Sequence, residues 1–417
     1  MRKNEVSDIR EQLKSAKQSS QQMALLNGTQ RNDALKAFAE LIHSERSFLK
    51  SENQKDLEAN HGKIADSIYQ RLELTDKKID SVLSGISDLV RMEDPIGKVQ
   101  WERDLALGPH LKRVTVPLGV IGIVFESRPD VNPQVLSLIM KSGNAVVLKG
   151  GSEAANSNRA FQDLVDKLNS QLAFLPQRWA QIIQSREDFR EMLKHDDCLD
   201  LVIPRGSNQL VQSVMASTKA PVLGHADGIC HIYVHPSAPI EKSVEVVINS
   251  KVQYPSACNA VETLLVDELC ASRFLNAFRG AAENAQIELR GCAETQKLLS
   301  GVRLATDEDW KTEYGEKVLS IRVVKNVAEA IEHISKYGSH HTDAILSTDE
   351  KSILEFQNGV DSACVFVNAS TRFADGYRFG MGAEVGISTS KTHARGPVGI
   401  EGLVSYKYIL EGEFDQV

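Results

Sequence analysis

The sequence predicts an α/β protein built on doubly wound parallel β-sheets. From Leu111 onward, short apolar runs rich in Val and Ile alternate with longer stretches that have helical spacing. The runs are nearly continuous in apolar residues, as expected of strands that helices cover on both faces. The cycle starts again near Ile229, and 417 residues allow two or three domains at roughly 150 residues each. Ligands of such sheets bind beyond the carboxyl ends of the strands.

The first hundred residues are predicted to form a helical layer. Leu35, Phe38, Ala39 and Ile42 follow the i, i+3, i+4, i+7 spacing of an amphipathic helix that covers a core. A looser connection is expected near residues 92–97, where Pro and Gly interrupt the pattern.

The remaining elements follow from the apolar runs and the spacing between them. Strands are predicted at 119–125, 145–148, 180–183 and 199–203 in the first cycle, and at 229–234, 261–266, 318–324, 344–347 and 363–368 in the second. Helices are predicted at 133–141, 154–172, 189–195 and 241–251. The tail at 403–409 alternates like an edge strand, which could pair with another subunit or complete a sheet of its own chain.

Charge and composition exclude several classes of partner. The net charge is -8, so no overall positive field attracts nucleic acid or anionic lipid, and any anionic ligand must be held by local groups. Aromatic residues make up 6%, too few for a platform that stacks nucleic-acid bases. The longest apolar run, 117–125, is far short of the roughly 18 residues that a membrane span needs. We expect a cytoplasmic protein with no membrane or nucleic-acid partner.

Cys258 is the candidate nucleophile among six cysteines. No two cysteines are spaced as a CxxC pair, so no metal site is expected. Cys230 and Cys364 lie inside predicted strands and are expected to be buried, as are the other three, whereas Cys258 lies in a loop of small residues directly before a strand. A single cysteine is more often a packed apolar residue, and the sequence pattern leaves both interpretations open.

Two glycine-containing loops are candidate anion sites. Each follows a predicted strand and contains a Ser that can cap the next helix, whose free N–H groups suit a phosphate. The loops are Lys149-Gly150-Gly151-Ser152-Glu153 and Arg205-Gly206-Ser207. Neither is a GxGxxG or Walker loop, and a plain turn between strand and helix explains each as often.

Three further features complete the candidates. Arg128 follows the longest predicted strand and could bind a carboxylate or phosphate bidentately, or form a surface salt bridge. The stretch 379–384, which ends in Glu384, and the stretch 391–397 suit a functional loop. No GxSxG or HExxH motif is present.

Six strings of the sequence resemble the γ-glutamyl phosphate reductases, a family in the aldehyde dehydrogenase superfamily. The strings are 116–129, 142–151, 228–234, 255–266, 367–373 and 393–397, and they run in order across essentially the whole chain. The resemblance implies an aldehyde dehydrogenase-like fold with a cofactor domain, an α/β catalytic domain and a small β oligomerisation element. It places an NADPH-binding domain at 1–102 and 118–231 with part of 376–397, the catalytic domain at 232–375, and oligomerisation strands at 103–117 and 398–417. A homo-oligomer is implied, with the tail strand pairing between subunits.

The resemblance also implies a reaction, the NADPH-dependent reduction of L-glutamyl 5-phosphate to L-glutamate 5-semialdehyde in proline biosynthesis. Cys258 would attack the acyl phosphate, release phosphate and form a thioester. Asn259 and Arg128 would also belong to the catalytic site, with Arg128 contacting the phosphate or the acyl oxygen. A separate glutamate kinase would supply the substrate. The alternatives are a related phosphorylating or hydrolytic aldehyde dehydrogenase with another substrate, and a non-catalytic protein that has kept the fold.

The implied cofactor residues cover both glycine loops. The adenosine ribose would be held by Lys149, Gly150, Gly151, Ser152 and Glu153, the pyrophosphate by the loop of Arg205, Gly206 and Ser207, and the nicotinamide ribose by Glu384. One departure is informative. Hydrolytic members carry a water-activating glutamate in a Glu-Leu-Gly-Gly segment, whereas residues 223–228 read Leu-Gly-His-Ala-Asp-Gly. Loss of that base suits an enzyme that releases phosphate, although Asp227 could act as a substitute.

Overall fold

Residues 9–106, 108–224, 227–381, 383–391 and 393–416 are described by a computed structural model. The predicted domains and loops also include residues 1–8, Leu107, His225, Ala226, Gly382, Thr392 and Val417, which lie outside the described residues. The α-helices are α1 (Ile9–Met23), α2 (Gly28–Ser44), α3 (Arg46–Asn60), α4 (Asp66–Leu72), α5 (Asp76–Arg91), α6 (Val131–Lys141), α7 (Ala155–Gln171), α8 (Arg186–Met192), α9 (Asn208–Ser217), α10 (Ile240–Val252), α11 (Glu268–Asn284), α12 (Ala293–Leu298), α13 (Val327–Tyr337) and α14 (Glu350–Gly359). The strands are β1 (Val99–Asp104), β2 (His110–Pro117), β3 (Val120–Phe125), β4 (Ala145–Lys149), β5 (Ala180–Ile183), β6 (Leu201–Arg205), β7 (Cys230–Val234), β8 (Val261–Asp267), β9 (Glu288–Gly291), β10 (Arg303–Leu304), β11 (Val318–Val324), β12 (Thr342–Leu346), β13 (Cys364–Val367), β14 (Gly386–Ser388), β15 (Gly396–Val398) and β16 (Val404–Glu411).

The first compact unit contains a parallel four-stranded sheet. The unit comprises Met1–Gly224, Gly380–Gly386 and Val398–Val417, and its sheet has the strand order β5-β4-β3-β6. Val120 and Val147 share a core with α1, α8 and α9 on one face of this sheet. Ile121 and Val146, which alternate with them, are also fully buried, and α6 and α7 contact strands β4 and β5. Helices therefore cover both faces, which confirms the doubly wound prediction.

The helical layer predicted at the start of the chain is α1 to α5. Leu35, Phe38 and Ile42 of α2 are buried as their spacing predicts, while Ala39 is partly exposed. The chain between the end of α5 at Arg91 and the start of β1 is irregular, which confirms the expected connection.

The start of α8 differs from its prediction for a local reason. The helix was expected at 189–195 and is observed at Arg186–Met192. The Ser185 hydroxyl accepts a hydrogen bond from the Asp188 N–H and caps the helix three residues earlier.

A three-stranded antiparallel sheet with the order β1-β2-β16 completes the first unit. The tail strand β16 pairs with β2 along its whole length, from Val404 opposite Pro117 to Glu411 opposite His110. It is thus an edge strand, as predicted, and it completes a sheet of its own chain. Tyr406 and Tyr408 on β16 are exposed. Pairing of this strand with another subunit stays a prediction.

The second compact unit contains a parallel seven-stranded sheet. The unit comprises His225–Phe379 and Ile387–Pro397, and the strand order is β10-β9-β11-β8-β7-β12-β13. All five strands predicted for the second cycle are present, and so is the predicted helix α10. Strands β9 and β10 were not predicted, because they have four and two residues and carry charged side chains. The sheet confirms a second α/β unit.

The predicted three-part domain division stays a prediction. The two compact units meet along the chain between Gly224 and His225, and the predicted boundary lies between residues 231 and 232. No helix in the described part of the chain is long and apolar enough to cross a membrane.

A buried histidine in the second unit is expected to make the fold sensitive to acid. The His333 ring packs against Trp310 and Tyr337, and Arg322 Nη1 donates a hydrogen bond to its Nδ1. Burial lowers the pKa of His333 from 6.5 to about 2, so the folded protein keeps this ring neutral. The unfolded chain binds the proton below pH 6.5, so stability falls as the pH falls. Between pH 7.5 and 5.5 the free energy of unfolding should lose about 1.4 kcal/mol through this group.

Urea unfolding at the two pH values tests this expectation. His333→Phe should be less sensitive to acid than the wild type by about that amount, because it keeps the ring packing and removes the titrating group. A matched control is the substitution of the exposed His43, His43→Gln, which should leave the pH dependence as it is. An equal loss of stability in the wild type and His333→Phe would contradict the expectation.

Candidate active site

The Cys258 loop joins the end of α10 to the start of β8. It has no regular secondary structure, and Cys258 is half-buried while Tyr254 at its start is exposed. A fully buried ion pair joins the two ends of the loop, with Lys251 Nζ of α10 2.5 Å from Glu262 Oε2 of β8. Burial raises the pKa of Glu262 and lowers that of Lys251, and the attraction between the two charges opposes both shifts. The loop is therefore closed at its base, and Cys258 within it keeps part of its surface accessible.

Gly228 packs directly against the backbone of Cys258. A Cβ atom at residue 228 would lie 2.1 Å from the carbonyl oxygen of Cys258 and 2.5 Å from its Cα atom. Real Cβ atoms do not approach other atoms this closely, so the close approach requires glycine. The Gly228 N–H donates to Glu313 Oε2 at 2.9 Å, which holds this segment in place.

Cys230 lies beneath the loop and supports it. Its Sγ donates to the carbonyl oxygen of Cys258 at 3.3 Å, and it lies 3.8 Å from Nδ1 of His341. Burial raises the pKa of Cys230 well above its usual value, so this thiol stays protonated and inert. Cys230 and Cys364 are buried, as predicted.

The other cysteines differ less from Cys258 in burial than expected. Cys198 and Cys270 are buried, which confirms their expected packing, but Cys292 is half-buried like Cys258. The Cys292 thiol contacts the Thr295 hydroxyl at 3.3 Å and accepts the Val323 N–H at 3.4 Å. Partial exposure alone therefore does not single out Cys258. The role of Cys258 as nucleophile stays a prediction.

Asn259 is turned away from solvent. The side chain is 3% exposed, and its Nδ2 donates to the carbonyl oxygen of Ala374 at 2.8 Å. This bond joins the Cys258 loop to the segment 370–378. A catalytic role for Asn259 stays a prediction.

Arg372 also joins these two segments, and the sequence interpretation gave it no role. Its Nε donates to Gln253 Oε1 at 2.8 Å, and its guanidinium lies over the ring of Tyr254 at 5.8 Å. Ser370 makes a further contact, with its hydroxyl 2.9 Å from that of Ser250 in the last turn of α10. The string 367–373 was a signal in the sequence, but only the fold shows which loop Arg372 contacts.

The predicted cofactor residues meet at the carboxyl edge of the first unit's sheet. Lys149 ends β4, Arg205 ends β6, and Glu126 follows β3, which lies between those strands. Arg205 Nη1 lies 3.5 Å from the carbonyl oxygen of Glu384, so Glu384 reaches the same edge. This is the edge where doubly wound sheets bind ligands.

The two glycine loops differ in how their helices begin. Ser207 caps α9 as predicted, with its hydroxyl accepting the Leu210 N–H at 3.4 Å. The prediction that Ser152 caps the following helix is wrong. Ser152 instead starts a short 3-10 turn, and α7 begins after Ala154. The carboxylate of Asp56 from α3 accepts the N–H groups of Asn156 and Ser157 at 2.9 and 2.8 Å, so a residue remote in sequence supplies the cap.

Carboxylates of the chain itself already contact both loops. Glu126 Oε2 accepts the Ser207 N–H at 3.0 Å, and it would lie 2.5 Å from a Cβ atom at Gly206. Glu153 Oε1 accepts both the N–H and the hydroxyl of Ser127 at 2.6 Å. The Ser207 N–H therefore already holds an oxyanion, whereas the loop 149–153 contributes the carboxylate of Glu153 as an acceptor.

Lys149 and Arg128 supply positive charge along this edge. Lys149 is 5% exposed, its Nζ donates to the carbonyl oxygen of Gly150, and burial lowers the pKa of its ammonium group. Arg128 is about half exposed and its Nη2 lies 2.9 Å from Asp130 Oδ2, which is the salt-bridge interpretation of its sequence context. This pairing leaves a further role for Arg128 as a prediction.

Comparison with known proteins gives the family. Residues 1–296 match the model of the aldehyde dehydrogenase family. The γ-glutamyl phosphate reductase of Methanococcoides burtonii is 47% identical over 420 residues, which cover 98% of this chain and 94% of the relative. The chain belongs to the γ-glutamyl phosphate reductase family.

Other members of the γ-glutamyl phosphate reductase family agree in sequence and fold. The protein of Brachyspira hyodysenteriae is 45% identical over 410 residues and covers 97% of this chain and 95% of the relative. The crystal structure of the Thermotoga maritima protein superposes with a TM-score of 0.95 at 38% identity, over 98% of this chain and 99% of that one. The resemblance and the aldehyde dehydrogenase-like fold are thereby confirmed.

Proposed function

We propose that this chain reduces L-glutamyl 5-phosphate to L-glutamate 5-semialdehyde with NADPH and releases phosphate, as a step of proline biosynthesis. The observation that carries the proposal is the half-buried Cys258. It lies in a loop whose ends are joined by the Lys251–Glu262 pair, in a chain of the γ-glutamyl phosphate reductase family. A nucleophilic thiol accepts an acyl group from an activated ester and holds it for the next step.

The chemistry of the chain's own residues is simple. Cys258 Sγ attacks the acyl carbon, the bond from that carbon to the phosphate oxygen breaks, and a thioester remains. NADPH, when bound, supplies the two electrons of the reduction as hydride. Cys258 is released as thiolate when the aldehyde leaves. Charge develops on the acyl oxygen in the attack, and the backbone N–H of Cys258 is the proposed donor to it.

The residues present fit a dinucleotide. The Ser207 N–H and the start of α9 already hold the carboxylate of Glu126, and the same donors suit a pyrophosphate once Glu126 moves aside. Lys149 provides a cation for a 2′-phosphate, whereas Glu153, four residues later in the chain, would repel it. Preference for NADPH over NADH thus depends on the balance between these two charges.

Replacement of Lys149 by methionine tests that balance. Lys149→Met keeps the length of a buried side chain and removes its charge, so it should weaken NADPH binding about tenfold relative to NADH, the size of a lost charge-assisted contact. Fluorescence titration of the reduced cofactors measures both dissociation constants. Glu153→Gln should shift the ratio in the opposite direction. An unchanged ratio in Lys149→Met would assign the lysine a structural role.

Phosphate dependence tests the proposed reaction itself. The purified chain is given glutamate 5-semialdehyde and NADP⁺, and NADPH absorbance is followed with and without inorganic phosphate. We expect steady NADPH formation only with phosphate, because the sequence lacks the water-activating glutamate of hydrolytic relatives. Equal rates without phosphate would favour the hydrolytic alternative. Activity with another aldehyde but not with this one would contradict the proposed substrate.

Three further parts of the proposal concern the setting of the enzyme. A separate glutamate kinase would supply the labile acyl phosphate. A homo-oligomer would form through the three-stranded sheet, where Tyr406, Tyr408 and Leu410 of β16 are exposed. The enzyme would act in the cytoplasm.

A further inference from the structure

Two arginines lie on the segment that borders the Cys258 loop. Arg372 sits in the short 3-10 turn Thr371–Phe373, and Arg378 follows six residues later and donates from Nη1 to the carbonyl oxygen of Arg372. The segment is joined to the Cys258 loop at both ends of that loop, through Gln253 and Arg372 and through Asn259 and Ala374. These contacts hold the two guanidinium groups beside the loop that carries the thiol.

Arg372 is a buried cation. It is 8% exposed, and its Nε contacts the neutral amide of Gln253. Among the residues that the structure describes, no carboxylate lies within 4.0 Å of the guanidinium nitrogens of Arg372 or Arg378. Asp375, the nearest acidic residue in sequence, accepts the N–H groups of Tyr377 and Arg378 at 3.0 and 3.2 Å. A buried charge is normally paired, so the surroundings of Arg372 favour an anionic ligand.

The electrostatics agree with this geometry. Burial, and next the positive charge of Arg378, lower the pKa of the Arg372 guanidinium, whereas Asp375 and the Cys258 thiolate act in the opposite direction. The positive charges of Arg372 and Arg378 therefore both act near the Cys258 thiol. An incoming dianion would relieve their repulsion and replace the water that Arg372 has lost.

We propose that Arg372, assisted by Arg378, binds the phosphate group of the acyl phosphate and holds it as it leaves. This inference rests on the proposed function. The phosphorus atom of the substrate is two bonds from the carbon that Cys258 attacks, whereas its α-carboxylate carbon is four bonds away. The anion nearest the thiol is therefore the phosphate.

The step balances without any further reactant. In the forward direction the carbon–sulfur bond forms, the carbon–oxygen bond breaks, and the phosphate takes the electron pair of the broken bond. The guanidinium groups keep their protons and neutralise part of the charge that develops on the leaving oxygen. In reverse the same groups collect inorganic phosphate and direct an oxygen atom at the thioester carbon.

Kinetics in the reverse direction test the assignment. With glutamate 5-semialdehyde and NADP⁺ in excess, Arg372→Gln should raise KM for inorganic phosphate about tenfold or more, and Arg372→Lys should raise it less. KM for the aldehyde should stay within about twofold in both variants. Arg378→Gln should also raise KM for phosphate, by a smaller factor. Because Arg378 is exposed, this variant tests the site even if the substitution of the buried Arg372 prevents folding. A matched control is Arg279→Gln, which removes one charge from an exposed pair with Glu283 on α11.

Alkylation of Cys258 gives a readout that needs no turnover. The ratio of its rates with anionic iodoacetate and neutral iodoacetamide, measured on the Cys258 peptide by mass spectrometry, should fall about tenfold in Arg372→Gln. In the wild type, inorganic phosphate should slow the reaction with iodoacetate, and this protection should be lost in the variant. Arg279→Gln should behave like the wild type in both respects.

The possible outcomes separate this inference from the proposed function. An unchanged phosphate KM and alkylation ratio in Arg372→Gln would overturn the inference. A raised KM for the aldehyde with an unchanged KM for phosphate would also overturn it, because the arginine would then bind the α-carboxylate. If the wild type shows no phosphate-dependent reaction, the proposed function fails, and unaltered alkylation of Arg372→Gln would then remove the anion site as well.

Discussion

Cys258→Ser is expected to abolish phosphate-dependent NADPH formation. The loss should be on the order of 10⁴-fold or more, because a serine hydroxyl in the same loop is a far weaker nucleophile than a thiolate. Serine is close to cysteine in size, so the loop, its contacts to Gly228 and Cys230, and cofactor binding should remain. Steady-state rates and NADPH titration of the same preparation measure both properties.

Cys292→Ser is the matched control for this prediction. Cys292 is the other half-buried thiol of the second unit, and it lies at the start of α12 in contact with Thr295. Its replacement should leave the rate within about twofold of the wild type, as for most changes away from a reacting group. Retained activity in Cys258→Ser, or loss in Cys292→Ser alone, would mean that the nucleophile has been placed on the wrong loop.

Gly228→Ala is expected to have the second largest effect. The new methyl group would overlap the backbone of Cys258, with its Cβ 2.1 Å from the carbonyl oxygen, and backbone atoms cannot turn aside as a flexible side chain does. The Cys258 loop must shift, and a displacement of about 1 Å of a reacting group costs on the order of 10²-fold in rate. We therefore expect kcat to fall by about that factor while NADPH binding is kept.

The control for Gly228→Ala is another glycine of the same unit. Gly280 lies in α11, and a Cβ there would meet nothing within 4 Å. Gly280→Ala should leave kcat unchanged and stabilise the fold by about 0.5–1 kcal/mol through helix propensity. If Gly228→Ala keeps full activity with an unfolding midpoint like that of the wild type, the close packing at Cys258 has no part in catalysis.

The sheets were predictable from the sequence because their strands are buried on both faces. Strand β3 reads as a continuous apolar run, β4 is apolar up to Lys149, and β8 has an apolar run at 264–266; the structure buries every residue of all three strands. β9 and β10 escaped prediction because a short strand with charged residues has no such pattern. Burial by helices is thus the property that the pattern reports.

Local signals located the candidate site less completely. The small-residue loop before β8 pointed to Cys258, and Ser207 was correctly expected to cap α9. The Ser152 cap was wrong because Asp56, almost a hundred residues earlier in the chain, takes that place. Arg372 received no role because its position beside Gln253 arises from long-range packing. Contacts between distant segments are not visible in a single sequence.

The proposed reaction requires a thioester at Cys258 that phosphate, and not water, cleaves. Rapid mixing of the enzyme with glutamate 5-semialdehyde and NADP⁺ in the absence of phosphate tests this most directly. The predicted result is a burst of about one NADPH per active site, followed by almost no turnover until phosphate is added. Continuous NADPH formation without phosphate, or a burst of equal size in Cys258→Ser, would contradict the account.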